Sequence, residues 1–110
     1  MKFLMVRQSE KQIPEHSGIY AIRSRYDRHI YIGSTFNFRD RFGKHLSKLI
    51  RKKHPNNALQ DLFNREQILF FTPVRRCGLT NIVRVENEFI DRYSKRSLNA
   101  TKAVFYRRRK

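Results

Sequence analysis

Residues 18–33 read GIYAIRSRYDRHIYIG and contain two short apolar runs that are typical of β-strands. The runs 19–22 and 29–32 are rich in isoleucine and tyrosine, which favour strands, and the polar residues 23–28 join them. This pattern predicts an antiparallel hairpin with a long, basic connection. The stretch Gly-Ser-Thr at 33–35 is expected to end the second strand.

The segment after this hairpin has the spacing of an amphipathic helix. Asn37 is a good N-cap residue, and apolar side chains then recur at helical spacing over residues 38–52. Arg41 and His45 are four residues apart, so we expect them on one face at the edge of the apolar stripe. The stripe itself is predicted to follow Phe38, Phe42, Leu46 and Leu49.

Three further elements are predicted beyond a breaker at residues 53–57. Apolar residues within 58–63 favour a short second helix, and residues 68–72 read as a buried strand. A turn with a capping residue at 78–81 precedes a third helix of about four turns, marked by apolar residues from 85 to 93. The element order is β-β-α-α-β-α, which defines an α+β domain with a small antiparallel sheet.

The charge of the chain defines its class of partner. The 110 residues include 25 Lys and Arg against 9 Asp and Glu, which gives a formal net charge of +16. Such an excess attracts polyanions, and nucleic acid is the first candidate. A membrane surface fits less well because the basic residues are scattered rather than gathered on one amphipathic helix.

Composition excludes several other classes. The single cysteine, Cys77, cannot form an internal disulfide, and no apolar run exceeds four residues, so neither a membrane span nor a signal peptide is expected. We therefore expect a soluble, cytoplasmic protein in the compartment that holds DNA. Four dispersed histidines lack the spacing of a zinc site, and four glycines form no nucleotide-binding pattern.

The length predicts one domain with two short extensions. Residues 1–17 form a polar lead-in, residues 18–105 the folded domain, and residues 106–110 a basic tail.

Six polar residues stand out against this scaffold: Tyr20, Tyr31, Arg41, His45, Glu86 and Asn99. Each taken alone has an ordinary structural explanation, such as a packed strand tyrosine, a solvated helix face, an ion pair or a turn. Glu86 is the most informative, because acids are few in this chain and its spacing puts it beside the apolar stripe of the third helix.

The combination of these residues has a known counterpart. Gly18-Ile19-Tyr20, followed after ten residues by Tyr31-Ile32-Gly33, resembles the signature of the GIY-YIG nuclease family. Arg41 and His45 stand eight and twelve residues after Gly33, as in many members of that family.

The resemblance continues to about Asn99. The stretch from Glu86 to Ile90 is similar to the family's glutamate helix, and Asn99 is similar to its terminal asparagine. One departure is mild, since tryptophan is frequent where Phe89 stands and that position serves packing.

The resemblance implies a sheet of three antiparallel strands flanked by about three helices, and hydrolysis of DNA phosphodiesters with one divalent metal, Mg²⁺ or Mn²⁺. Glu86 is implied as the metal ligand and Arg41 as the group that holds the scissile phosphate. Tyr20 is implied as the general base on the attacking water, while Tyr31 and His45 orient or share that proton.

The remaining implied roles concern support and binding. Asn99 would brace the site or a neighbouring phosphate contact, while Gly18 and Gly33 would permit a close backbone approach. Phosphate contacts are expected from basic residues of the first helix and the tail, namely Arg41, Lys44, Lys48, Arg51, Lys52, Arg107, Arg108 and Arg109.

Two alternatives stay open at this point: a catalytically silent nucleic-acid-binding module of the same fold, and a basic RNA- or ribosome-associated protein. The substrate is expected to be duplex or branched DNA, with RNA as an alternative. The sequence has no zinc finger or helix-turn-helix that reads a defined site. Targeting is therefore expected from nucleic-acid shape, from a partner protein, or from another part of a longer protein.

Overall fold

The computed structural model describes residues 1–99 as a sheet with helices on both faces. The strands are β1 (Phe3–Leu4), β2 (Gly18–Ser24), β3 (Ile30–Thr35) and β4 (Leu69–Arg76). The α-helices are α1 (Phe38–Ile50), α2 (Asn57–Glu66) and α3 (Ile82–Arg92), and short 3-10 helices span Arg7–Gln12 and Ser94–Arg96. Within residues 1–99, no helix has the length and apolar character needed to cross a bilayer.

The predicted hairpin is present and consists of β2 and β3. The strand order is β1-β4-β2-β3 with every pair antiparallel, so β3 is an edge strand. In the hairpin register, Tyr20 lies opposite Gly33 and Ile22 lies opposite Tyr31.

Alternation along the strands divides the core into two layers. Tyr20 and Ile22 point to the face covered by α1 and α2, whereas Ile19 and Ala21 point to the face covered by α3. Because both faces are covered, β2 is buried along most of its length.

The first helix follows its sequence prediction closely. The Asn37 side chain accepts a hydrogen bond from the Asp40 backbone N–H at 3.0 Å and caps α1. The four stripe residues predicted from spacing are all buried, at no more than 3% exposure: Phe38, Phe42, Leu46 and Leu49.

The third helix is shorter than predicted. It ends at Arg92 after 11 residues, about three turns rather than four, because Tyr93 leaves the helical conformation. Asn81 stands at the N-cap position, but its side chain makes no capping hydrogen bond.

The sheet has four strands rather than the three expected. The extra strand β1 pairs Phe3 with Phe71 and is only two residues long, too short to show strand periodicity. The surrounding residues 1–17, expected as a polar lead-in, contribute Phe3, Met5 and Ile13 to the core.

Pro73 lies where the sheet can accept it. β4 pairs with β1 only at Phe70 and Phe71, so within residues 1–99 the side of β4 that faces away from β2 is unpaired at Pro73. Proline has no N–H to donate and therefore fits at such an unpaired position. The β2–β4 register shifts between Ile19 and Tyr20, which pair with Arg75 and Pro73. Val74 is therefore an extra residue in a bulge beside Tyr20.

Gly33 makes room for the ring of Tyr20. A Cβ at position 33 would lie 2.3 Å from the Tyr20 hydroxyl oxygen and 2.4 Å from its Cζ. The absence of a side chain at Gly33 is therefore required for the Tyr20 ring to pack at this point of the hairpin. Gly18 has an equivalent restriction, since a Cβ there would lie 2.0 Å from the Arg75 carbonyl oxygen.

The close contact between Gly33 and the Tyr20 ring predicts that two glycine substitutions differ in their effect on stability. Gly33→Ala should lower the free energy of unfolding by about 1–3 kcal/mol, because the added methyl displaces a packed aromatic ring. Gly78→Ala should change it by less than about 0.5 kcal/mol, since a Cβ there meets nothing within 4 Å. Urea unfolding measures the stability of both variants. Equal stabilities would contradict the close packing of the Tyr20 ring against Gly33.

Candidate functional site

Tyr20 lies at the centre of a buried aromatic and histidine cluster. Its side chain is 1% exposed and stacks on Phe71 with ring centroids 4.8 Å apart. The hydroxyl oxygen is 2.6 Å from Nε2 of His45, which lies on α1. The centroid of the Tyr31 ring lies 6.4 Å from that of Tyr20 and 5.5 Å from that of His45. Sequence-predicted residues from three elements therefore meet at one point.

A second histidine extends this cluster. Nδ1 of His45 lies 2.8 Å from Nε2 of His54, and the two rings stack at 5.0 Å between centroids. The Asn56 backbone N–H donates to Nδ1 of His54 at 3.0 Å. The His54 backbone N–H in turn donates to the Gln60 side-chain oxygen at 3.0 Å.

Sequence reasoning missed His54 as a member of the site. It lies in the breaker between α1 and α2, where no helical or strand period relates it to His45. The only local signal is the capping of α2 by Asn56, whose side chain accepts from the Leu59 N–H at 2.9 Å. That cap fixes the chain direction just after His54, but it does not reveal which group His54 touches.

Both histidines are neutral near pH 7. Burial lowers the pKa of His45 to about 3, and the nearby His54, Arg41 and Lys48 act in the same direction. Burial and Lys48 also lower the pKa of His54.

The two tyrosines hold their protons tightly. Burial is the main cause that raises the pKa of Tyr20 well above its ordinary value, and Tyr31 and Glu86 add to it. Burial and Glu86 raise the pKa of Tyr31 as well. Arg41 favours the phenolate in both cases, so its guanidinium opposes the effect of burial.

Arg41 connects the tyrosine cluster to an open groove at the β3 edge. Its Nε is buried without a hydrogen-bond partner in the described part of the chain. The groove has a volume of about 460 Å³ and draws residues from both layers of the fold. It is lined by Ser34, Thr35, Phe36, Arg41, Leu79, Ile82 and Val83.

Glu86 lies one helical turn beyond Ile82, on the α3 side of this groove. Burial raises the pKa of Glu86, while the Ser34 hydroxyl and Arg41 favour its ionised form. Only 8% of the residue is exposed, yet it takes part in none of the ion pairs formed among residues 1–99. Among residues 1–99, therefore, Glu86 is a buried carboxylate beside the groove whose charge no contacting cation matches.

Asn99 lies at the outer side of the edge strand. Its side-chain oxygen accepts from the Ile32 N–H at 2.9 Å, and its amide nitrogen donates to the Ile32 carbonyl at 2.7 Å. Ser97 donates to the same Asn99 oxygen at 3.1 Å. The side chain therefore holds β3 from outside, and these bonds occupy its amide.

The basic residues predicted to contact nucleic acid do not all line one groove, since Arg41 lines the groove at the β3 edge and Lys44, Lys48 and Arg51 line another. Lys48 lies near the histidine pair, as its effect on both pKa values shows. Lys48 also lines a groove on α1 together with Lys44, Arg51 and Arg7, and Lys44 pairs with Asp40 at 3.3 Å. Lys52 is exposed just after α1, and residues 107–109 lie outside the described residues.

Family comparison identifies the class of protein. Residues 16–99 match the family model of the GIY-YIG catalytic domain. The chain therefore belongs to the GIY-YIG family, as its paired tripeptides predict. It is an endonuclease of the GIY-YIG type.

Solved structures share the fold. The catalytic domain of intron endonuclease I-TevI, in a mutant form, matches with a TM-score of 0.74 and 24% identity over 82% of this chain and 98% of that one. A second structure, described as the catalytic domain of homing endonuclease I-TevI, matches with a TM-score of 0.72 and 23% identity over 77% and 98%. A comparison with curated proteins gave no match.

The low pKa of His45 predicts acid sensitivity. Between pH 6.5 and about 3 the unfolded chain binds a proton at His45 that the folded chain does not, so stability falls as pH falls. Between pH 7 and pH 5 this group alone should remove about 2 kcal/mol from the free energy of unfolding.

Urea unfolding at both pH values measures this loss, with His45→Gln as the matched variant. The variant should lose less stability on acidification than the native protein, although His54 still contributes in the same direction. An equal loss in both proteins would contradict a buried neutral His45.

Proposed function

We propose that the chain is a metal-dependent endonuclease that hydrolyses DNA phosphodiester bonds, with Glu86 as metal ligand, Arg41 on the phosphate and Tyr20 as general base. The observation that carries this proposal is that Arg41, which lines the groove at the β3 edge, is near enough to Glu86 to favour its ionised form. Within residues 1–99, Glu86 is a buried carboxylate without a contacting cation, and the buried Nε of Arg41 has no hydrogen-bond partner. Both side chains are suited to receive a phosphate and its counter-ion.

The donor set fits a divalent metal of the magnesium type. Within residues 1–99, no three His, Cys, Asp or Glu side chains are grouped to hold a metal ion. Mg²⁺ usually keeps several waters and takes one or two carboxylates together with substrate phosphates. Glu86 supplies one such carboxylate at the groove, and Mn²⁺ accepts the same oxygen ligand. When bound, the ion supplies positive charge that neutralises the phosphodiester.

Arg41 is proposed to stabilise the charge that develops on the phosphate. Arg41 lines the groove from the α1 side, and its buried Nε–H has no hydrogen-bond partner within residues 1–99. A positioned donor aimed at the charge that develops in the transition state is worth about 2.7–4 kcal/mol.

Tyr20 is proposed to accept the proton of the attacking water. In the free protein, burial, Tyr31 and Glu86 oppose formation of its phenolate, whereas Arg41 favours it. Because the active form is the deprotonated one, the cleavage rate should rise with pH through the neutral and alkaline range. Tyr31 lies beside Tyr20 and is proposed to help orient the same water.

DNA is proposed as the substrate because of the charge of the chain. A net charge of +16 on 110 residues attracts backbone phosphates whatever their sequence. The exposed cations on and after α1, together with the basic tail at 107–110, supply this attraction. Duplex and branched DNA are both expected to bind, and RNA serves as the comparison substrate.

Neutralising Glu86 tests the proposed activity. Glu86→Gln should reduce Mg²⁺-dependent nicking of supercoiled plasmid by about 100-fold or more, because an amide is a poor ligand for a hard cation. Retention on duplex DNA should be unchanged or slightly tighter, since one negative charge leaves a basic surface. The stability of the fold should not fall, because burial already disfavours the carboxylate.

Glu88→Gln is the matched control on the same helix. Glu88 is exposed and pairs with Arg84 at 2.7 Å, away from the groove residues. This variant should nick at the native rate. Native-rate nicking by Glu86→Gln would reject the metal assignment, and a native chain that retains DNA without nicking it would instead support the silent binding module.

A further inference from the structure

The hydrogen bonds around His54 have a fixed direction. The Asn56 backbone N–H can only donate, and its target at 3.0 Å is Nδ1 of His54. That nitrogen is therefore an acceptor and carries no proton. Because a neutral imidazole holds one proton, the proton of His54 must be on Nε2.

The same reasoning passes to the next ring. Nε2 of His54 lies 2.8 Å from Nδ1 of His45, so the proton on His54 is donated to His45. Nδ1 of His45 is then an acceptor, and the single proton of that ring is on Nε2. Nε2 of His45 lies 2.6 Å from the Tyr20 oxygen, so His45 donates to Tyr20 rather than accepting from it.

We infer that His54 is a positioning residue that sets the tautomer of His45, so that His45 donates a hydrogen bond to Tyr20 and cannot take up its proton. The direction originates at the Asn56 N–H, which the cap of α2 holds in place. Gln60 fixes His54 from its other side by accepting from the His54 backbone N–H.

The hydrogen bond that His45 donates to Tyr20 has a consequence for the reaction, and this consequence rests on the proposed function. A proton that leaves the attacking water forms an O–H bond on the Tyr20 phenolate, and the Nε2–H of His45 stays in place throughout. The hydrogen bond from His45 favours the phenolate over the phenol. His45 is thus excluded both as the general base and as the next carrier of a proton from Tyr20.

The tautomer can be measured without DNA or metal. Long-range ¹H–¹⁵N correlation spectra of the full chain labelled at histidine distinguish the protonated nitrogen of each ring. The exposed His16 and His29 are assigned by substituting each with glutamine. Near neutral pH, His45 and His54 should both be protonated at Nε2. Protonation of His45 at Nδ1 would overturn the inference.

Two variants at position 54 link the tautomer to activity. His54→Gln retains an N–H that can donate to His45 from the same place, whereas His54→Glu offers only acceptor oxygens and should draw the proton of His45 to Nδ1. Nε2 of His45 then accepts from the Tyr20 hydroxyl and favours the phenol. Single-turnover cleavage by His54→Glu should be slower than by His54→Gln by about tenfold or more.

A Tyr20→Phe background is the control for this pair. Without the hydroxyl, the two substitutions at position 54 should give equal rates, because the tautomer then has no oxygen to act on. A tenfold difference that persists in this background would contradict the inference. Absence of cleavage by the native chain would reject the proposed function instead, and the tautomer spectrum would still decide whether His54 sets the proton on His45.

Discussion

The placement of the Tyr20 ring over Gly33 is the constraint on which the site depends. Only a residue without a Cβ allows the phenol to cross the hairpin at this point, since an added methyl would overlap its oxygen. The ring is held from the other side by Phe71, and its oxygen is directed at His45. The paired tripeptides therefore encode one geometrical requirement, a tyrosine on one strand and a gap opposite it on the next.

The position of β3 at the sheet edge explains how residues from opposite layers share one groove. α1 covers one face of the sheet and α3 covers the other, so a wider sheet would separate Arg41 from Glu86. At the edge their side chains approach around β3, beside Ser34. Asn99 supports this arrangement because it bonds both backbone groups of Ile32 on the open side of the edge strand.

Much of the fold was predictable because its elements carry regular periods. The hairpin and α1 follow directly from alternation and from the recurrence of apolar residues after Asn37. β1 was not predictable, since two residues show no period and their pairing with β4 spans most of the chain. His54 was missed for a related reason: it lies in an irregular segment, and its partners are set by tertiary packing. The net charge predicted a polyanionic partner, but it did not show that Lys44, Lys48 and Arg51 line one groove while Arg41 lines another.

Single-turnover cleavage of DNA by Tyr20→Phe at saturating Mg²⁺ tests the central claim most directly. The substitution removes the hydroxyl and keeps the ring over Gly33, so the free energy of unfolding should fall by only about 1–3 kcal/mol for the lost hydrogen bond. Cleavage should slow by about 100-fold or more, because the proposed base is gone. Tyr26→Phe, at an exposed tyrosine in the hairpin connection, should cut at the native rate. A Tyr20→Phe protein that cuts as fast as the native chain would contradict the account.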